Sequence, residues 1–246
     1  MIPKKIHYCW FGRNPLPELA LKCIESWRRF FPDYEIIEWN EDNFDIKMIQ
    51  YTQQAYSARK YAFVSDYARF WILYNHGGLY FDTDVEVIKS MDDIIERGPF
   101  MGVEVGAKTS TPLVAPGLGL GVTPGLAIYK EILDYYEALT FFGDDGKPNK
   151  ITVVKHTTNV LVRNGLNSST DIQEVAGIWI YPPDYFNPLD SLTGNLKITD
   201  NTRSIHWYMN SWSDRSRLYQ YLSRMSHRIL GLSINKVKSY IFRKYK

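Results

Sequence analysis

Two aspartates separated by one residue, Asp82 and Asp84, close the apolar run Gly77-Gly78-Leu79-Tyr80-Phe81. In an extended segment the side chains at i and i+2 point the same way. The two carboxylates can therefore converge on one cation while Thr83 faces away. Such a pair suits Mn²⁺ or Mg²⁺, hard cations that favour oxygen ligands and share their coordination with substrate phosphates. The pair alone is a weak signal. With 16 Asp in 246 residues, about one Asp-x-Asp is expected by chance, so the weight falls on what surrounds it.

Asp66 and Arg69 stand three apart, on one face of a helix if the segment is helical. The plainer reading is a structural ion pair; the functional one sets Arg69 against a phosphate, for which guanidinium geometry is well matched, and Asp66 against hydroxyls. Farther along, Arg203-Ser204-Ile205-His206-Trp207 leads into Tyr208-Met209-Asn210-Ser211-Trp212. His206 at a strand end could complete a metal shell, since imidazole is an accepted ligand beside carboxylates. An isolated His is more often structural. Ser211 could donate to a phosphate and Trp212 close over it, or both could be loop packing.

These groups need elements to hold them. Ile6–Phe11 reads as a buried first strand, broken by Gly12, Pro15 and Pro17. A helix follows over Glu18–Phe30, with Leu19, Cys23, Ile24 and Trp27 at helical spacing and Pro32 as its stop. Tyr34–Trp39 is a second strand, so the opening forty residues spell a βαβ unit. Tyr61–Tyr74 reads as a strong helix that Gly77 ends in the left-handed conformation, and Leu79–Phe81 as the strand whose carboxyl end carries the aspartates. In open α/β sheets, ligands bind outside the carboxyl ends of strands. Val85–Ile88 and Phe100–Val105 read as extended, Thr109–Gly125 as a Gly-, Pro- and Thr-rich loop, Pro124–Leu139 as a helix with Pro in its first turn, and Ile178–Tyr181 and Arg203–Trp207 as late strands. No repeat or low-complexity linker appears. The economical division is one α/β domain over 1–214 and a tail over 215–246.

Composition sets outer bounds. The chain is 45% hydrophobic and 23% charged, normal for a protein with a real core. Its 18 Tyr and 7 Trp supply core rings, a minority of them suited to stacking on bases and sugars. No secretory leader and no apolar run of spanning length are evident. Cys9 and Cys23 make neither a disulfide framework nor a metal pattern and fit reduced packing residues of a cytoplasmic protein. The net charge of +2 conceals an asymmetry: residues 215–246 hold nine Lys or Arg and no acid. Leu218, Tyr221, Leu222, Met225, Ile229 and Leu232 form an apolar stripe among these bases. That pattern fits an interfacial helix on anionic lipid, or a helix packed on the domain with its basic face solvated.

Four ordered blocks carry a family resemblance: Ile2–Gly12, Lys60–Arg69, Gly77–Val85 and Ser204–Trp212. Together they resemble the DXD-containing glycosyltransferase sugar-binding family, which includes capsular and surface polysaccharide enzymes and has yeast-type mannosyltransferases and the glucosylating domains of large bacterial toxins as relatives. The resemblance spans about residues 2–212. It implies a GT-A-type fold, Rossmann-like with a mixed, mainly parallel sheet. It further implies a nucleotide-sugar donor, UDP-linked, with a hexose moved to a saccharide or lipid-linked acceptor, a divalent cation (Mn²⁺, or Mg²⁺), and retention of anomeric configuration. By position, Trp10 would stack on the base with Tyr8 nearby, Asp66 and Arg69 would hold the donor sugar and diphosphate, and Asp82 would touch ribose, sugar or metal. Asp84 would ligate the metal directly, His206 would be its late ligand, and Ser211 and Trp212 would engage the diphosphate. Relatives carry near Thr109–Gly121 an Asn that faces the sugar; none stands here, and His156-Thr157-Thr158-Asn159 departs from the Thr-Gly-Pro found at its place. These departures bear on substrate identity, not on the metal. No isolated carboxylate stands out as a base, Glu104 and Asp144 being candidates only by elimination. The expected location is cytoplasmic, with the tail on the inner face of the membrane and no nucleic-acid partner. The alternatives are a sugar-nucleotide binding module without turnover and a glycoside hydrolase. The hydrolase is disfavoured because two carboxylates on one strand face cannot straddle a sugar ring.

Overall fold

The structure is a computed structural model and describes residues 1–104, 111–149 and 151–209. Ser211, Trp212 and the whole tail, including the boundary near residue 214, lie outside the described residues. Chain order is β1 (Lys5–Cys9), α1 (Glu18–Phe30), β2 (Glu35–Trp39), α2 (Gln50–Ser57), α3 (Tyr61–His76), β3 (Gly78–Tyr80), β4 (Val85–Val87), α4 (Asp92–Arg97) and β5 (Phe100–Glu104). It continues with β6 (Leu113–Val114), β7 (Leu120–Val122), α5 (Ala127–Glu137), α6 (Val153–Arg163), β8 (Gln173–Val175), β9 (Ile178–Tyr181), α7 (Pro183–Phe186) and β10 (Ser204–His206).

The main sheet has the order β2-β1-β3-β7-β5-β9-β8, with β6 beside β5. β1 pairs parallel with β2 and β3, and β5 parallel with β9; β7 runs antiparallel to both β3 and β5. Five strands thus point one way, and the carboxyl ends of β1, β3, β5 and β9 share one edge. Side-chain alternation divides the core into two layers. Leu79 and Phe81 pack with Ile6, Tyr8 and Trp27 of α1 on one face; Tyr80 packs with α2, α3, α5 and α6 on the other. The sheet is covered on both faces, as the near-continuous apolar strands require.

α1 has the bounds its periodicity predicts. Ala20, Cys23, Ile24 and Trp27 are its buried stripe, Glu18 lies in the first turn, and Arg28 and Arg29 lie in the last, each charge favourable to the helix dipole. Trp27 Nε1 donates to the Val85 carbonyl at 2.8 Å, and the Val87 amide donates to Ser26 Oγ at 2.9 Å. The helix thereby fixes the chain just after the aspartates.

Four expectations need correction. Gly77 does end α3, but at φ 62°, ψ −166°, a glycine conformation other than the left-handed helical one. A Cβ there would meet Pro124 Cδ at 2.6 Å, so glycine is required for space as well. Pro124 lies ahead of α5, which begins only at Ala127. The supposed loop over 109–125 contains β6 and the central strand β7. Gly121 explains the disguise: a Cβ on it would lie 2.2 Å from the Phe100 ring, so the strand must omit side chains on that face. Finally, Asp82-Thr83-Asp84 is not extended. The Val85 amide donates to the Asp82 carbonyl at 3.0 Å, making a turn between β3 and β4, and Thr83 is buried.

His7 locks the strand that supports this region. Trp39 Nε1 donates to His7 Nδ1 at 3.0 Å, so the ring carries its proton on Nε2, which faces the Gly77 carbonyl at 3.0 Å. A second ring proton would oppose the indole N–H. Burial, offset in part by the Gly77 carbonyl, lowers the pKa from 6.5 to about 4. The unfolded chain therefore binds more protons between those values, and stability present above pH 6.5 is lost as the pH falls toward 4. The loss amounts to roughly 3 kcal/mol at most. His7→Gln keeps a donor and an acceptor but does not titrate. In urea melts at pH 7 and pH 4.5 the wild type should lose more stability than this variant; parallel losses would contradict the assignment.

Candidate metal and donor site

The turn at the end of β3 and the ribbon beside it assemble the site. β10 pairs antiparallel with β4, with His206 opposite Val85, and the Trp207 amide donates to the Asp84 carbonyl at 2.9 Å. This register sets the imidazole against the turn: His206 Nε2 lies 3.0 Å from Asp84 Oδ1. The Met209 amide donates to Asp84 Oδ2 at 2.6 Å. One ligand atom each from Asp82, Asp84 and His206 lies within 4.8 Å of the others. Two carboxylates and an imidazole fit a Mn²⁺-type cation, and their convergence from the β3–β4 turn and from β10 is what a shared ligand would need. The structure brings the three residues together, and a turn rather than an extended strand places the aspartates.

The three groups differ electrically. Burial acts against the charge of Asp84, but the His206 cation and the Met209 amide outweigh it and hold this carboxyl below its ordinary range. Burial likewise disfavours a charged His206, yet Asp84, then Asp82 and Glu104, raise its pKa. At Asp82 burial prevails over the pull of Arg69, and the neighbouring Asp84 adds to the rise. Asp82 also retains more exposure, 29% of its side chain against 10% for Asp84.

Behind the turn, α3 supplies a buried charge network. Arg69 Nη2 lies 3.1 Å from Asp66 Oδ1 and 3.4 Å from Asp82 Oδ1, while its Nε donates to the Ser65 carbonyl at 3.0 Å. Its guanidinium carbon sits 5.1 Å from the Tyr80 ring centre, and the Tyr80 hydroxyl donates to Asp82 Oδ1 at 3.2 Å. Arg69 is 4% exposed. The structural ion pair considered from spacing is therefore present, and it extends to Asp82. Burial lifts the Asp66 carboxyl to about 7 despite Arg69, with Asp82 adding to the rise.

Trp10 is half-buried just beyond β1, on the same sheet edge, and its Nε1 donates to the Asn14 carbonyl at 2.6 Å. Tyr8 is buried beneath with its hydroxyl on Glu38 at 2.7 Å, so of the two rings Trp10 is the more exposed. Sequence reasoning gave no role to the Met209 amide, which leaves no mark in residue type. It also left Glu104 aside. That residue ends β5 at the carboxyl edge of the sheet, its charge acts on His206 and on the Tyr208 hydroxyl, and burial raises its pKa. Asp144 stands exposed in a surface turn.

Part of the chain is similar to known glycosyltransferases. Residues 17–101 match the family described as the glycosyltransferase sugar-binding region containing the DXD motif. Inositol phosphoceramide mannosyltransferase 1 of Schizosaccharomyces pombe is 31% identical over 111 residues, covering 41% of this chain and 33% of the relative. Inositol phosphoceramide mannosyltransferase 3 of the same yeast is 29% identical over 102 residues, covering 38% and 27%. The chain thus spans a third or less of the length of these curated relatives. A solved glycosyltransferase involved in glycosylation of the major capsid of PBCV-1 superposes with a TM-score of 0.51 at 13% identity. That superposition covers 91% of this chain and 100% of the other, a likeness of fold. Residues 17–101 are thus similar to the DXD-containing glycosyltransferase sugar-binding region, and the chain has a GT-A-type fold.

Proposed function

We propose that the protein is a metal-dependent, retaining hexosyltransferase. It takes a hexose from a nucleotide-sugar donor, UDP-linked, and delivers it to a saccharide or lipid-linked saccharide in capsular or surface polysaccharide synthesis. The observation that carries this reading is the convergence of Asp82, Asp84 and His206 at the carboxyl edge of the sheet. That edge is where α/β sheets bind ligands.

Asp84 and His206, with Asp82, would hold a Mn²⁺ or Mg²⁺ ion, which when bound would supply Lewis-acid neutralisation of the departing nucleoside diphosphate. Trp10 offers its ring to the base. Asp66 and Asp82 accept hydroxyls of the donor, and Arg69 keeps Asp82 aimed while adding fixed positive charge. Ser211 and Trp212 are proposed to engage the diphosphate. The bond from the anomeric carbon to phosphate oxygen breaks, and the acceptor oxygen bonds to that carbon from the same face. The acceptor proton passes to the released phosphate oxygen. No protein carboxylate is needed as base.

The yeast relatives are named for mannosyl transfer to inositol phosphoceramide, which supports a lipid-linked acceptor and puts mannose among the hexoses to test. No helix among the described residues is long and apolar enough to cross a membrane. The basic tail is proposed to hold the enzyme on the inner membrane face, and a chain truncated before Ser216 that still floats with anionic vesicles would remove that role. The function itself is tested by measuring nucleoside diphosphate release from a panel of nucleotide hexoses. One donor should be hydrolysed with Mn²⁺ and not after chelation. Tight Mn²⁺-dependent donor binding with no release from any donor would instead indicate a binding protein.

A further inference from the structure

We propose that Gly117 is a positioning residue for the cation site, its missing side chain forming the seat of the Asp82 carboxylate. A Cβ on Gly117 would lie 2.0 Å from Asp82 Oδ2, 3.0 Å from its Cγ and 3.4 Å from Arg69 Nη1. Contacts under about 3 Å are not tolerated by real Cβ atoms, so the carboxylate would have to move. Backbone conformation does not explain the glycine. Gly119, two residues on, has φ 146°, but Gly117 is absent from the positive-φ glycines, and alanine could adopt its dihedrals. What Gly117 provides is space.

The seat is tied down on every side. The Asp82 amide donates to the Gly117 carbonyl at 3.2 Å, so the same residue that admits the side chain also holds the backbone. The turn cannot recoil: Ala115 donates to the Gly102 carbonyl at 2.9 Å, Leu118 donates to the Ala115 carbonyl at 3.2 Å, and both side chains are buried. Across the carboxylate, Oδ1 is held by the Tyr80 hydroxyl and faced by Arg69. Oδ1 is tied to β3 and α3 and Oδ2 lies over Gly117, which fixes the carboxylate beside Asp84 and His206. An added methyl would force it to leave Arg69, the cation, or both.

This inference rests on the proposed cation site, and the test separates the two. Mn²⁺ affinity is measured by electron paramagnetic resonance of the free ion for wild type, Gly117→Ala, Asp82→Ala and the double variant. The wild type should bind one Mn²⁺. Gly117→Ala should weaken binding roughly tenfold to a hundredfold, the scale on which groups that orient metal ligands act. In the Asp82→Ala background the same substitution should change affinity less than about twofold, because the group it displaces is gone. If Gly117→Ala alone does not fold, the double variant, relieved of the clash, should fold. Wild-type affinity in Gly117→Ala, an equal loss in both backgrounds, or a double variant as unfolded as the single one would overturn the role of Gly117. A wild type without a Mn²⁺ site would overturn the cation reading beneath it.

Discussion

Asp84→Asn should lower Mn²⁺-dependent donor cleavage by about a thousandfold or more, the scale on which single charge-stabilising groups act in enzyme sites. Asparagine keeps the shape of the side chain and an oxygen for the Met209 amide, which donates to Asp84 at 2.6 Å. The turn and the β4–β10 ribbon should therefore persist. What is lost is the negative charge that faces His206 at 3.0 Å and that would face the cation. Of the two aspartates, Asp84 is the better buried and the one held below its ordinary pKa, so it stays ionised where Asp82 does not as readily. Steady-state donor hydrolysis, with circular dichroism as the check on folding, measures the effect. Activity within tenfold of wild type in a folded variant would contradict the assignment of Asp84 as metal ligand.

Arg69→Met is expected to have the largest effect on stability. The guanidinium is 4% exposed and lies between Asp66 and Asp82. Removing one partner of a buried charge network typically costs about 3–5 kcal/mol, because the remaining charges are left uncompensated. The sign with pH follows from the carboxyls. Burial already raises Asp82, and it lifts Asp66 to about 7 with Arg69 present; without Arg69 both bind protons still more readily. The folded variant then takes up protons that the unfolded chain, with ordinary carboxyls, releases. Its deficit should be greatest at alkaline pH and shrink as the pH falls. Urea unfolding at pH 8 and pH 5.5 measures both parts. A small, pH-independent loss would show that the network is not held by Arg69. Cleavage should fall as well, since Asp82 loses the group at 3.4 Å that aims it.

Elements whose apolar periodicity is decided by a single buried face were legible in the sequence. α1 and β9 have the bounds their patterns predict, α3 starts where expected, and β1-α1-β2 is the parallel unit that its spacing spells. β7 was hidden because a strand that passes Phe100 has to carry glycine at position 121, and glycine reads as loop. α6 was hidden because its buried face includes His156, Thr157 and Thr158, polar residues that break an apolar stripe. Within the site, residue type marked Asp82, Asp84, Asp66, Arg69 and His206. It did not mark the Met209 amide, the reach of Glu104 toward His206, or the space above Gly117. Backbone groups, long-range charge and the absence of a side chain leave no chemical label on the residue. The resemblance to DXD glycosyltransferases supplied the order of blocks that turned a chance-level Asp pair into a site. It could not indicate that the pair sits in a turn or that Arg69 is committed to carboxylates within the protein.

The central claim is that Asp82, Asp84 and His206 hold the cation that a nucleotide-sugar donor requires. Anomalous diffraction at the manganese edge, from crystals of the full chain grown with Mn²⁺ and UDP, tests it most directly. One strong peak is expected within about 2–2.5 Å of an oxygen of Asp84 and a nitrogen of His206, with the UDP diphosphate on its open side. A bound diphosphate with no anomalous peak beside Asp84, or a peak held by other residues, would contradict it.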